Sequence, residues 1–240
     1  MAFGALWGCG YGYGPFLFLG RQRIANSMAR ITALKIQKRR QDRVNVFIDD
    51  QYAFSLQSTL AARLHLGQDL DEQTIQDLQR HDDAEKAYED ALYYLSYRPR
   101  ATREIARHLQ EKGVEPDTIE HVLARLTRAK LIDDREFAQT WVENRTTFRP
   151  RGARALRVEL RQKGIDDEIV ENALHDIDEE SNAQAVGRLA LRRLATLEEP
   201  VFRRRLLGLL LRRGFSYGVA RQVTDDLWQE AQAQQEANPE

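Results

Sequence analysis

Pro99, Pro150 and Pro200 stand 51 and 50 residues apart, and Gly113, Gly164 and Gly214 keep the same two intervals. A period of this length held by two residue types at once constrains the fold more than any single motif, because it means small units stacked in a row. The middle copy runs from Arg149-Pro150-Arg151-Gly152 to Lys163-Gly164-Ile165. Upstream, Arg98-Pro99-Arg100 leads to Lys112-Gly113-Val114, and downstream Glu199-Pro200-Val201 leads to Arg213-Gly214-Phe215.

Each copy reads as three helices. In the first, Ala87, Ala91 and Leu95 fall four apart and make one apolar stripe. That helix ends near Ser96 or Tyr97, since a residue preceding proline is pushed out of the α region. In the second helix Ile105 and Leu109, Leu156 and Leu160, and Leu206 and Leu210 recur six and ten residues past their prolines. The glycines then sit where a helix C-terminus favours a left-handed residue. Two residues on, Glu115, Asp166 and Ser216 take the N-cap position of the third helix, with Pro116 at the first helical position supporting the weaker Glu cap. The third helix puts Ile119 and Leu126, Val170 and Ile177, and Ala220 and Leu227 at matching core offsets. Asp133 with Glu136 forms a capping box opening the helix of Phe137 and Trp141. In the third copy Leu189, Leu194 and Leu197 are out of phase with the earlier stripe, so that unit is expected to pack differently or to cap the array.

Ahead of the repeats the period changes to alternation. Thr32 to Gln37, Val44 to Ile48 and Tyr52 to Leu56 read as strands, with a basic turn from Lys38 to Arg43 and a second turn at Asp49-Asp50-Gln51. Ser58 to Leu66 reads as a short helix closed by Gly67, Asp71 opens another, and His81-Asp82-Asp83 marks a joint. The expected fold is mainly α: three tandem three-helix repeats in an elongated curved array (84–133, 134–178 and 179–235) behind a small N-terminal β-hairpin or sheet element (28–83), with a tail at 236–240. Residues 1–27, where Gly alternates with aromatics, read as a disordered or spurious leader, with Met28 as the functional start. That leader lacks the basic n-region of a signal peptide.

Charged residues make up 30% and the net charge is −1, a globular balance without a uniformly basic surface. The charge is locally uneven: residues 181–227 hold nine Arg against Glu198, Glu199, Asp225 and Asp226, a local net of +5. Cys9 is the only cysteine, so no intrachain disulfide forms, and a cytoplasmic location is expected. No stretch reaches the roughly 18–20 apolar residues of a membrane span.

Catalytic chemistry finds little footing. Five Asp pairs fall mostly at turns or helix starts, where capping explains them. His65, His81, His108, His121 and His175 form no i,i+4 pair and have no Cys neighbour, which argues against zinc. No glycine-rich loop joins a strand to a helix, so no nucleotide site and no cofactor is indicated, and the chain does not read as an enzyme.

Arginine remains. Arg98, Arg100, Arg103 and Arg107 flank the second helix of repeat one, Arg149, Arg151, Arg154, Arg157 and Arg161 that of repeat two, and Arg203, Arg204, Arg205, Arg212 and Arg213 that of repeat three. All but Arg107 and Arg161 are candidate contacts to an extended anionic ligand, because the planar guanidinium matches phosphate and carboxylate with paired donors. The tight turns also suggest helix-turn-helix readers. Two of the three recognition turns, Glu115-Pro116-Asp117 and Asp166-Asp167-Glu168, are acidic, which argues against reading bases in the major groove.

Ala91-Leu92-Tyr93-Tyr94-Leu95-Ser96-Tyr97-Arg98-Pro99-Arg100, the junction Leu131-Ile132-Asp133-Asp134 with Phe137-Ala138, Arg149-Pro150-Arg151-Gly152 to Lys163-Gly164-Ile165, and Arg212-Arg213-Gly214-Phe215 together resemble the bacterial RecX family, from about Thr32 to Leu227. The resemblance implies three tandem three-helix repeats and a non-enzymatic modulator of the RecA recombinase in recombination, DNA repair and the SOS response. It implies a protein that binds along RecA–DNA filaments and suppresses ATP hydrolysis, strand exchange and co-protease activity. A monomer with some direct, nonspecific DNA contact is a further expectation. The leader and the out-of-phase helix of repeat three depart from that pattern. The alternative expectation is a nonspecific DNA-binding protein that acts without RecA.

Overall fold

The computed structural model describes residues 29–237. The leader expected at 1–27, the start at Met28 and the end of the tail lie outside the described residues. The chain divides into two compact units, the first ending at Gln79 and the second starting at Arg80.

The first unit is a four-stranded antiparallel sheet, β1 (Ala29–Ile36), β2 (Arg43–Ile48), β3 (Gln51–Gln57) and β4 (Asp69–Leu70), in the order β3-β2-β1-β4. Alternation sends Ile31, Val44, Val46, Phe54 and Leu56 to one buried face. The turn Asp49-Asp50 closes the β2–β3 hairpin with both residues at positive φ, 49° and 64°, the geometry that follows the twist of the paired strands. Two expectations are corrected here. The helix read over Ser58–Leu66 is the single turn α1 (Ser58–Ala61), because Gly67 and Gln68 leave it to hydrogen-bond the Ile31 backbone and lead into β4. Arg43, read as part of an exposed turn, is buried on β2, where its Nη2 donates to the carbonyl and hydroxyl oxygens of Ser55 at 2.9 and 3.0 Å. The exposed basic tip is Lys38, Arg39 and Arg40.

The joint read at His81-Asp82-Asp83 is not a break in secondary structure, although the two units divide close by, at Gln79 and Arg80. Helix α2 (Glu72–Ser96) runs through it, with the Lys86 ammonium 2.8 Å from buried Asp82 and 2.9 Å from Asp83. One lysine at the i+4 and i+3 positions removes the repulsion that made this acidic pair look like a break.

Beyond it come α3 (Thr102–Glu111), α4 (Pro116–Arg128), α5 (Asp134–Phe148), α6 (Ala153–Lys163), α7 (Asp167–Leu174), α8 (Glu179–Leu194), α9 (Glu199–Arg212) and α10 (Tyr217–Ala237). They form three-helix repeats with successive cores. The residue pairs six and ten past each proline, from Ile105 and Leu109 to Leu206 and Leu210, are all fully buried at the centres of those cores. Burial of each such side chain contributes about 1.5–3 kcal/mol. Gly113, Gly164 and Gly214 have φ of +79°, +84° and +86°, the left-handed ends their positions predicted. Glu115 and Asp166 stand at their N-caps without a side-chain bond, whereas Asp133 accepts from the Arg135 and Glu136 amides. Ile177 lies beyond the end of α7 at Leu174 and packs half-buried against the core of Val170 and Leu174, and Asp178 caps α8 through the Ser181 amide. Leu189 is 74% exposed, and α8 packs instead through Ala183, Val186, Leu191 and Leu194, with Gly187 pressed against Leu227.

Consecutive repeats join by the same geometry. The glycine turn of one repeat sits on the start of the second helix of the repeat before it: Gly214 on Gly152 and Ala155, Gly164 on the Arg103 side chain. At each joint the first residue of the next repeat caps that helix, Asp134 accepting from the Thr102 amide (2.8 Å) and Glu179 from the Ala153 amide (3.0 Å). The residue two past the proline must therefore be small, and it is Ala101 and Gly152 in the first two repeats. In the third repeat it is Phe202, fully buried in that repeat's own core, with its ring 5.1 Å from that of Trp228. In repeat three a bulky core side chain thus stands where the first two repeats have a small residue against the next repeat's glycine turn.

Candidate functional site

The two repeat joints each open a groove, in which the Arg-Pro-Arg segment of one repeat faces the first helix of the next. Their electrostatics differ. The groove of repeats two and three, about 1120 Å³, is lined by Arg149, Arg151, Arg193, Arg204, Arg205, Arg212 and Arg213 with Phe148, Pro150, Val186, Leu189, Ala190, Leu194 and Leu209, and by no carboxylate. The groove of repeats one and two, about 820 Å³, has Arg98, Arg100 and Lys130 against Asp133 and Glu136, on walls that include Leu92, Leu95, Tyr97, Phe137 and Trp141.

The candidate arginines separate accordingly. Arg98 is held by Glu104 at 3.1 Å. Arg100 lies over the Tyr94 ring, 3.8 Å from its centroid, and donates to the Tyr94 hydroxyl. Arg103 spends its stem on the Gly164 turn. Arg157 makes a two-pronged pair with Glu171 at 2.6 and 2.7 Å. Arg203 is shared by Glu199 and Asp225. Arg154 is exposed, and it lines neither groove. Arg151 lies 2.8 Å from Glu159, and Arg213 reaches the Pro150 carbonyl at 3.4 Å. Arg149, Arg204, Arg205 and Arg212 form no ion pair with a described residue, and neither does Arg193, which the sequence reading missed. A guanidinium without an internal carboxylate keeps its full donor capacity for a ligand.

The aromatic element was also missed. Tyr97 and Phe148 both stand two residues before a repeat proline, on the lip of a groove, 65% and 76% exposed. The signal lay in the alignment of the repeats: an aromatic precedes Arg-Pro-Arg twice, and Glu198 replaces it in the third copy. Tyr97 hydrogen-bonds the Tyr93 hydroxyl and meets its ring edge-on at 5.1 Å, whereas Phe148 has no aromatic neighbour among the described residues.

An ion-pair cluster seals the first joint. Glu104 receives Lys163 at 2.7 Å and Arg98 at 3.1 Å. Nearby, the Glu159 carboxylate accepts from the Trp141 indole and from Arg145, both at 2.9 Å. Burial pushes Glu104 up, but the hydrogen bonds from Lys163 and Arg98 outweigh it and hold the carboxyl below its ordinary range. Among the described residues no three His, Cys, Asp or Glu side chains gather as a metal cluster, and no helix is long and apolar enough to cross a membrane.

The fold and these joints define a tandem three-helix-repeat protein with one strongly basic groove and one groove of mixed charge. Comparison with known proteins agrees. Family models match residues 29–71 (regulatory protein RecX N-terminal domain) and residues 87–126, 133–174 and 178–224 (the first, second and third RecX three-helix domains). The regulatory protein RecX of Bacillus licheniformis is 37% identical over 206 residues, 82% of this chain and 78% of that protein. That of Bacillus subtilis is 34% identical over 83% of this chain and 78% of its own length. A crystal structure of regulatory protein RecX superposes with a TM-score of 0.68 at 30% identity, covering 82% of this chain and all of that one. The structure of RecX from Lactobacillus salivarius gives 0.58 at 27% identity, over 61% of this chain and 97% of that one. The chain belongs to the RecX family of regulatory proteins.

Proposed function

We propose that this protein regulates the RecA recombinase, binding along RecA–DNA filaments in the cytoplasm and slowing ATP hydrolysis, strand exchange and co-protease activity. The reading rests on family membership and on one structural observation, the five arginines of the repeat two–three groove that have no carboxylate partner among the described residues. A filament offers anionic groups at a fixed interval, and a cluster of free guanidiniums gains affinity from them in proportion to the counterions released. Regulation without turnover also fits relatives named as regulatory proteins.

Co-sedimentation of the full chain with preformed RecA filaments on single-stranded DNA tests the reading. The chain is expected in the pellet with RecA at protein levels too low to coat the same DNA without RecA. Sedimentation that follows bare-DNA affinity alone would overturn it in favour of a DNA-binding protein indifferent to RecA.

A further inference from the structure

The basic groove carries more information than its charge. Its polar side chains are all arginines, which donate hydrogen bonds and accept none. An occupant must therefore be rich in acceptors and poor in donors. A phosphodiester strand meets that demand, whereas a peptide would bring backbone N–H groups that the lining side chains cannot satisfy. The apolar part of the lining is just as specific. Phe148, 76% exposed, and Leu189, 74% exposed, line the groove beside the free arginines, where no described residue covers them. An aromatic face among guanidiniums suits an unstacked base next to its phosphates, and a duplex keeps its base faces hidden.

We infer that the groove of repeats two and three holds single-stranded nucleic acid, with a base stacked on Phe148 and the flanking phosphates on the five unpaired arginines. This inference rests on the functional reading above and assigns its nucleic-acid contact to one joint. The first joint is excluded by its own contacts: Arg98 and Arg100 are engaged internally, Asp133 and Glu136 line its groove, and Tyr97 is engaged with Tyr93.

The test uses the full chain, without RecA, and a fluorescent oligothymidine of about 20 nucleotides. Five phosphate contacts predict a log–log salt slope of about −3.5. Phe148→Ala weakens binding about tenfold or more at unchanged slope, Arg204→Glu with Arg205→Glu flattens the slope by about 1.4 or more, and Tyr97→Ala binds as the parent does. A duplex of equal length competes poorly. The inference is overturned if Phe148→Ala binds like the parent, if Tyr97→Ala loses as much, or if the duplex or a poly-glutamate peptide of equal charge displaces the oligonucleotide as well as itself. A Phe148→Ala chain that binds the oligonucleotide normally and still pellets with RecA filaments would refute this inference alone and leave the filament reading standing.

Discussion

The Gly152 amide donates a 3.1 Å hydrogen bond to the Arg213 carbonyl, 61 residues away in sequence, and so ties repeat two to repeat three backbone to backbone. A Cβ at Gly152 would lie 2.3 Å from the Gly214 carbonyl oxygen and the Phe215 nitrogen, and neither backbone atom has room to retreat. Gly152→Ala is expected to cost about 1–3 kcal/mol or more, localised to one joint. In a repeat array stability is a sum of units and interfaces, so repeat three should then melt in a separate, earlier step during urea unfolding. One cooperative transition at the parental midpoint would contradict the close approach.

Phe202 anchors the core of repeat three. Phe202→Ala should lose about 3–5 kcal/mol and change the emission of Trp228, its ring neighbour at 5.1 Å. The check is denaturant unfolding followed by tryptophan emission, with a fluorescence change at 228 that precedes any change at Trp141.

The first joint carries a pH dependence. Glu104 has its carboxyl held below the ordinary 4.5 by Lys163 and Arg98 against the opposing effect of burial, so its contribution is present above that ordinary value and is lost as pH falls through the depressed one. Acid titration of stability should therefore show a loss below pH 4.5 that Glu104→Gln removes. An identical acid profile in the variant would show that the cluster is not linked to folding.

The arginines should divide by their partners. Charge reversal at Arg149, Arg204 and Arg205, which have no carboxylate, is expected to weaken filament binding at least tenfold and to flatten its salt dependence. Reversal at Arg157, engaged with Glu171, should change filament binding little. Equal losses would mean that binding follows net charge and not the groove.

The repeat was legible because its signals are local: a glycine that ends a helix and two aliphatic residues a turn apart keep the same offsets in every copy. What was not legible depends on partners distant in sequence. Arg43 reads as a turn residue until Ser55 is brought beside it, and Asp82 reads as a break until Lys86 neutralises it. The twelve candidate arginines look alike in the sequence. Only packing shows that Arg98, Arg157 and Arg203 are engaged by carboxylates while Arg149, Arg204, Arg205 and Arg212 are not. Phe148 and Phe202 are both phenylalanines near a repeat proline, yet one is exposed at the lip of a groove and the other is fully buried in a core, and only packing separates them.

The most direct measurement is ATP hydrolysis by the cognate RecA on single-stranded DNA, titrated with the full chain alongside its binding to the same DNA without RecA. The account predicts that hydrolysis slows at concentrations well below those that occupy the bare DNA. Slowing that appears only once the bare DNA is saturated would contradict it and reduce the effect to competition for the strand.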